Sequence, residues 1–259
     1  MVTKKFVVAL FGLMLICSFG FAQGTRIWLR TFTGPLGHQG LGYNPNDNRV
    51  YYCHYYLKVI NIISSDSNIT SYGSFATPNN DSGYTDIKYC AYDNTLWLLS
   101  NRLKRVYKVT TTGTVRRYFN ISAVDYPAGL AWDEATRTIY ISDRRTSLGV
   151  FPQYIFVFDT LGNQIRRMDH PIRGYYGARG LAFRPRSGNM GPWLLNAYTF
   201  WNSGGTAVDS AGIFALDPAT CRVLNYFRIH PLPETSNIRG VEFDPRNNTY
   251  WVTYTQYGT

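Results

Sequence analysis

A short apolar phrase recurs five times along the chain. It reads Gly40-Leu41-Gly42-Tyr43-Asn44, then a looser Ile87-Lys88-Tyr89-Cys90-Ala91-Tyr92-Asp93, then Gly129-Leu130-Ala131-Trp132-Asp133, Gly180-Leu181-Ala182-Phe183-Arg184 and Gly240-Val241-Glu242-Phe243-Asp244. With Leu41, Ile87, Leu130, Leu181 and Val241 as equivalents, the steps are 46, 43, 51 and 60 residues. A unit of this length cannot bury its apolar face alone and must stack on its neighbours. When each unit also holds several short strands, the period is that of a β-propeller blade.

The third unit is the clearest. Gly129 to Trp132 is a short apolar strand, and Asp133 to Arg137 is a polar turn. Thr138 to Asp143 alternates as a half-buried strand does. Tyr154 to Asp159 and Gln164 to Met168 follow, joined by Thr160-Leu161-Gly162-Asn163, where glycine is available for positive φ. Units one and two repeat the scheme. Unit four does so with a Gly/Ser-rich loop expected over Thr199 to Ala211. Unit five offers only Val241 onward and Thr249 to Thr255. The sequence therefore predicts an all-β propeller of four-stranded antiparallel blades, with four complete blades and a partial fifth. Asn44-Pro45, Asp244-Pro245 and, less typically, Arg184-Pro185 initiate the turns after the first strands.

Residues 1–22 read as a signal peptide: Lys4 and Lys5, an apolar run over Phe6 to Phe19, then Gly20-Phe21-Ala22 with small residues where cleavage needs them. Residues 23–259 are then the propeller domain, secreted or held in a periplasmic or cell-surface location. No membrane insertion is expected after cleavage. The mature chain keeps Cys53, Cys90 and Cys221. An odd number cannot all pair internally, although Cys53 and Cys90 lie in neighbouring units and a bridge between them stays open. The net charge of +10 becomes +8 when Lys4 and Lys5 leave. Arg residues are spread over every unit without a basic run of nucleic-acid type, so no nucleic-acid partner is expected. A basic exported surface suits anionic glycans or small anions.

The phrases Gly129-Leu130-Ala131-Trp132-Asp133, Ile139-Tyr140-Ile141-Ser142-Asp143 and Ile155-Phe156-Val157-Phe158-Asp159 with Leu161-Gly162 resemble a blade of the NHL-repeat and YWTD propellers. These stand with the gluconolactonase-like and strictosidine-synthase-like propellers in a group that is usually six-bladed. The resemblance covers about residues 26 to 259. It implies architecture more than activity, since the group holds binders, scaffolds and enzymes. Arg26 to Phe32 reads as an orphan strand able to join the last blade, which would still lack one strand. The expectation is that the native protein continues beyond Thr259.

In such propellers the loops between blades and those between second and third strands share one face. Register places Gln39, Asp86, Arg179 and Arg239 there from the leading strands. His54, Arg102, Asp143, Arg144 and Tyr198 come from the ends of second strands. The reading is a cationic rim of Arg102, Arg144, Arg179 and Arg239, with Asp86 and Asp143 as partial counterions. Tyr55, Tyr175, Tyr176 and Trp201 stand nearby. Guanidinium groups bind carboxylate, sulfate or phosphate by paired hydrogen bonds.

Catalysis has less support. Enzymes that this fold resembles hold a divalent metal on the axis with several acidic or amide ligands. Here the mature Glu residues are Glu134, Glu234 and Glu242, and the positions matching Glu242 are Gly42, Lys88, Ala131 and Ala182. No metal or other cofactor is called for, and His170 and His230 read as solvated loop residues. No Gly-x-Ser-x-Gly, phosphate loop or dinucleotide fingerprint is present. The sequence favours an exported, non-catalytic binding module or scaffold whose partner is a protein, a glycan or a small anion. The alternatives are an exported propeller hydrolase, lactonase or lyase, or a structural segment of a larger cell-surface protein.

Overall fold

A computed structural model describes residues 23–24, 38–66, 70–144, 153–172, 179–201, 208–229 and 236–256. The proposed signal peptide, the orphan strand over Arg26 to Phe32, Tyr175 and Tyr176 lie outside the described residues. A two-residue β1 (Gln23–Gly24) precedes the repeats. The first blade is β2 (His38–Asn44), β3 (Arg49–His54), β4 (Val59–Ser64) and β5 (Ser71–Ala76). The second is β6 (Tyr84–Cys90), β7 (Thr95–Ser100), β8 (Arg105–Thr110) and β9 (Val115–Asn120). The third is β10 (Pro127–Asp133), β11 (Thr138–Asp143), β12 (Tyr154–Phe158) and β13 (Gln164–Asp169). The fourth is β14 (Leu181–Arg184), β15 (Trp193–Trp201), β16 (Val208–Leu216) and β17 (Val223–Ile229), and β1 pairs in parallel with its outer strand. The fifth sheet is β18 (Ser236–Asp244) and β19 (Thr249–Gln256).

Apart from β1, the strands of each sheet pair antiparallel in chain order, as an up-and-down meander does. Four complete blades and a two-stranded fifth sheet are therefore present among the described residues, where the resemblance implied six blades. Tight turns set the pairing. Asn44, Asp133 and Asp244, each ending a leading strand, accept the backbone N–H two residues on at 2.9–3.0 Å. These short side chains replace the backbone acceptor that a turn lacks. These turns and the β6–β7 turn end on left-handed residues, Asn48, Arg137, Asn248 and Asn94, with φ between 52° and 59°.

The ladders run further than the sequence suggested in the fourth blade. Pairs Thr199↔Ala211, Phe200↔Ser210 and Trp201↔Val208 extend β15 and β16 into the Gly/Ser-rich stretch. Hairpin pairing outruns local composition there, because each added pair satisfies backbone groups already in register. The three cysteines are buried free thiols, so Cys53 and Cys90 are not bridged. The Cys53 thiol instead lies 3.5 Å from the Gly40 carbonyl.

The apolar faces pack blade against blade. One core, with Tyr51, Ile60, Ile87 and Leu98, fills the first junction, and another, with Trp97, Leu99, Leu130 and Phe156, fills the second. Tyr140, Val157, Leu181 and Leu194 occupy the third junction, and Ala182, Leu195, Ile213 and Val241 the fourth. The last, with Leu41, Tyr43, Val50 and Trp251, joins the fifth sheet to the first blade and closes the ring.

Closure brings the leading strands into backbone contact. A Cβ on Gly129 would sit 2.0 Å from the Arg179 carbonyl oxygen. One on Gly180 would sit 2.6 Å from the Gly240 Cα, and one on Gly240 would sit 2.8 Å from the Gly40 Cα. Gly73 is the contrast, with φ +104° and open space around it. Gly129→Ala is expected to lower the unfolding free energy by about 3 kcal/mol. Gly73→Ala, which meets only the left-handed backbone penalty, is expected to lower it by roughly 1 kcal/mol. Urea unfolding of both variants reads the difference, and equal losses would contradict contact at the hub.

Candidate functional site

The register of the five phrases puts Gly40, Asp86, Gly129, Gly180 and Gly240 at one level of the hub. Four glycines thus surround a single side chain. The Asp86 carboxylate accepts the backbone N–H of Leu130 at 2.8 Å, of Leu181 at 3.4 Å and of its neighbour Ile87 at 2.9 Å. One carboxylate thereby holds three leading strands.

One level along the strands stand Gly42, Lys88, Ala131, Ala182 and Glu242. The Lys88 ammonium is 3.2 Å from Asp86 and 3.3 Å from Glu242. It also donates to the Leu41 carbonyl at 2.7 Å and the Val241 carbonyl at 2.9 Å. The positions matching Glu242 offer it no fellow metal ligand, and one of them, Lys88, is its ion-pair partner. Burial pushes the Asp86 carboxyl up to about 6 and the Glu242 carboxyl up to about 7, against the pull of Lys88. Burial works to lower the Lys88 pKa, but the attraction of the two carboxylates outweighs it and holds the ammonium above its ordinary range.

The predicted rim residues fall into three settings. Asp86 is fully buried inside the hub. His54 and Asp143 are buried at the ends of second strands, and Tyr198 is buried within the longer β15. His54 Nδ1 accepts the N–H groups of Tyr56 and Leu57, and Asp143 accepts those of Tyr126 and Asp125, so both hold loops at that face. Tyr198 stacks on His170, and burial raises its hydroxyl to about 12. Gln39, Arg179 and Arg239 flank the hub glycines. The Gly180 N–H donates to the Arg239 carbonyl at 2.9 Å, Ser142 Oγ donates to the Arg179 carbonyl at 2.8 Å, and Thr253 Oγ1 donates to the Gln39 carbonyl. Arg179, two residues before β14, thus stands beside Arg239 of β18. Arg179 is buried and Arg239 half-buried.

Arg102 lies farther out. It pairs with Asp81 at 3.1 Å and lines a depression of about 610 Å³ with Tyr55, Asn101, Lys104, Asp125 and Tyr126. Arg144 is half-buried, and its backbone N–H meets the Tyr126 carbonyl at 2.9 Å. The rim residues therefore do not converge on one point: Arg179 and Arg239 stand together, and Arg102 belongs to a separate depression.

His170 is buried, where the sequence suggested a solvated loop residue. Its Nε2 is 2.9 Å from Asn196 Oδ1 and its Nδ1 is 3.0 Å from the Ile172 carbonyl. Burial lowers its pKa. No cluster of three or more His, Cys, Asp or Glu with metal-site geometry occurs among the described residues. The two hub carboxylates that could hold a cation are bound to Lys88.

This arrangement is that of a β-propeller with a salt-bridged hub. No protein-family model and no curated protein sequence matches the chain. Solved structures do. Hydrazine synthase of Kuenenia stuttgartiensis aligns over 89% of this chain and 59% of its own, at 16% identity and a TM-score of 0.54. The glutaminyl cyclase of Myxococcus xanthus aligns over 85% and 86%, at 12% identity and a TM-score of 0.58. A streptogramin B lyase aligns over 85% and 63%, at 14% identity and a TM-score of 0.48. The chain therefore spans less than two thirds of the hydrazine synthase and lyase chains. At these identities the likeness shows the fold alone.

The hub yields a pH-dependent expectation. A carboxyl with a raised folded pKa binds its proton more tightly in the folded state. Its contribution to stability therefore falls as pH rises from the unfolded value near 4 to the folded one near 6 or 7. Lys88→Met removes the charge that tolerates ionisation, and breaking such a buried pair costs about 3–5 kcal/mol. The loss is expected to be full at pH 8 and clearly smaller at pH 5, where Asp86 and Glu242 take up protons. Urea midpoints at the two pH values read it, and a pH-independent loss would rule out the ionic hub.

Proposed function

We propose that this protein is an exported, non-catalytic propeller of the NHL-repeat, YWTD and gluconolactonase-like group, and that it binds an anionic ligand or glycan. The binding face is the one carrying Arg179 and Arg239, with Arg144 and Arg102 outside them. The supporting observation is the adjacency of Arg179, two residues before β14, and Arg239 on β18, joined through the Gly180 N–H and the Arg239 carbonyl. Two guanidinium groups so placed suit a carboxylate, sulfate or phosphate. Basic surface charge adds attraction over longer range, screened beyond roughly 10 Å at moderate salt.

The metal-dependent hydrolase or lactonase reading has a specific obstacle. Hard cations take several oxygen ligands. The axial carboxylates Asp86 and Glu242 are already engaged by Lys88. A binding role also fits a hub whose polar groups are engaged with one another.

Two experiments test the reading. Arg179→Gln combined with Arg239→Gln is expected to weaken binding to a panel of uronic-acid and sulfated saccharides by about tenfold or more, since each lost charged hydrogen bond is worth roughly 1.5–3 kcal/mol. Unchanged affinity would remove the rim from consideration. Export is checked by mass spectrometry of the protein recovered outside the cytoplasm, with Gln23 expected as the first residue.

A further inference from the structure

On the face opposite the rim, a groove of about 790 Å³ opens between the second and third blades. Its wall includes Tyr92 and Asp93 from the β6–β7 turn, Lys108 from β8, Arg116 and Arg117 from β9, and Arg137 from the β10–β11 turn. Two of these residues break the grammar that the blades otherwise share.

The first is Lys108. It pairs with Trp97, which pairs with Lys88, in a row running across the sheet. The matching rows in the other complete blades place Ile62, Val157 and Ala215 at the Lys108 position. Those are apolar residues of blade junctions, and Lys108 is as buried as they are expected to be, with 8% exposure. It also stands directly opposite Arg117 on β9. Like charges in that cross-strand relation are destabilising.

The second is Arg137. It holds the left-handed position that asparagine holds in three sister turns, at Asn48, Asn94 and Asn248. Asparagine tolerates that conformation better than arginine does. The substitution sets the Arg137 guanidinium over the Tyr92 ring, 4.2 Å from its centroid.

The charges around the groove do not balance. Asp93 engages Lys108 at 2.5 Å and Thr95 at 2.6 Å. Glu134, beside the groove, is engaged by Trp132 Nε1 at 2.7 Å and by the N–H groups of Ala91 and Tyr92. Lys108, Arg116, Arg117 and Arg137 thus face two carboxylates that are already bonded. Arg117 lies over Trp97 at 5.3 Å, and its Nε is buried without a hydrogen-bond partner.

We propose that this groove binds a small ligand carrying a sulfate or phosphate ester, held by Lys108, Arg117 and Arg137 from two blades. A tetrahedral oxyanion offers several acceptors to guanidinium forks. The volume exceeds what a free ion needs and matches a sugar-sized body beside Tyr92. The site is distinct from the Arg179 and Arg239 rim and does not depend on it.

Calorimetric titration of the purified protein with glucose 6-sulfate, glucose 6-phosphate and inorganic sulfate, at fixed ionic strength, tests the proposal. Saturable binding is expected, weakened at least tenfold by Arg117→Gln with Arg137→Gln and by Lys108→Met. The Arg179→Gln, Arg239→Gln variant is expected to keep it. Tighter binding of the esters than of inorganic sulfate assigns the sugar body to the groove. Should the double variant fail to fold, Arg137→Asn, which restores the residue of the sister turns, is read in its place. Absence of saturable binding, or affinity untouched by these groove substitutions, overturns the proposal.

Discussion

The leading strands of this propeller approach until backbone meets backbone, and that contact governs what the rest of the chain can be. Four of the five residues at the tightest level are glycine, because a Cβ at Gly40, Gly129, Gly180 or Gly240 would fall inside a neighbour's atoms. The space left on the axis admits one short side chain. Asp86 fills it and ties three strands together through their backbone N–H groups. A carboxylate sealed there needs a counterion, and Lys88 provides it while bridging to Glu242 and to two carbonyls. Packing at the centre thus dictates the charges at the centre.

A second set of interactions holds blade to blade away from the axis. Polar residues near the ends of second strands reach across to the next leading strand. Asn101 donates to the Pro127 carbonyl at 2.8 Å and Ser142 to the Arg179 carbonyl at 2.8 Å, while Thr199 accepts the Ile238 N–H at 3.0 Å. Each satisfies a backbone group that the inter-blade bend would otherwise strand in a buried setting. Register slips at Tyr84/Asp86, Pro127/Gly129 and Ile238/Gly240 occur at the same place in three sheets. Such bulges turn the strand as it enters the hub. The sites considered for ligands lie at the two ends of this arrangement: the arginine pair beside the bulges, and the basic groove among the opposite turns.

The blade scheme was legible because it rests on local signals. Alternation placed β11 over Thr138 to Asp143, to the residue, and Asn44, Asp133 and Asp244 marked the turns. The placement of Asp86 was not legible in the same way. Register put it at the hub end of its strand, but the glycine clearances and its bonds to the Leu130 and Leu181 N–H groups are what show that it points inward. Glu242 looked unsupported because its partner is 154 positions away in sequence, at Lys88. The aligned phrases did contain the signal: a lysine and a glutamate at one level, among Gly42, Ala131 and Ala182. Lys108 and Arg137 escaped notice for a related reason. Each is ordinary on a surface strand or turn and becomes unusual only against its counterparts in the sister blades.

The hub has a consequence for how freely such blades can be exchanged. A ring assembled from identical copies of the second unit would aim five carboxylates into room for one. A ring of third units would leave that room empty, with the strands unbridged. The second sheet is therefore fixed in role by its innermost residue, and the molecule carries a built-in origin from which its blades can be counted.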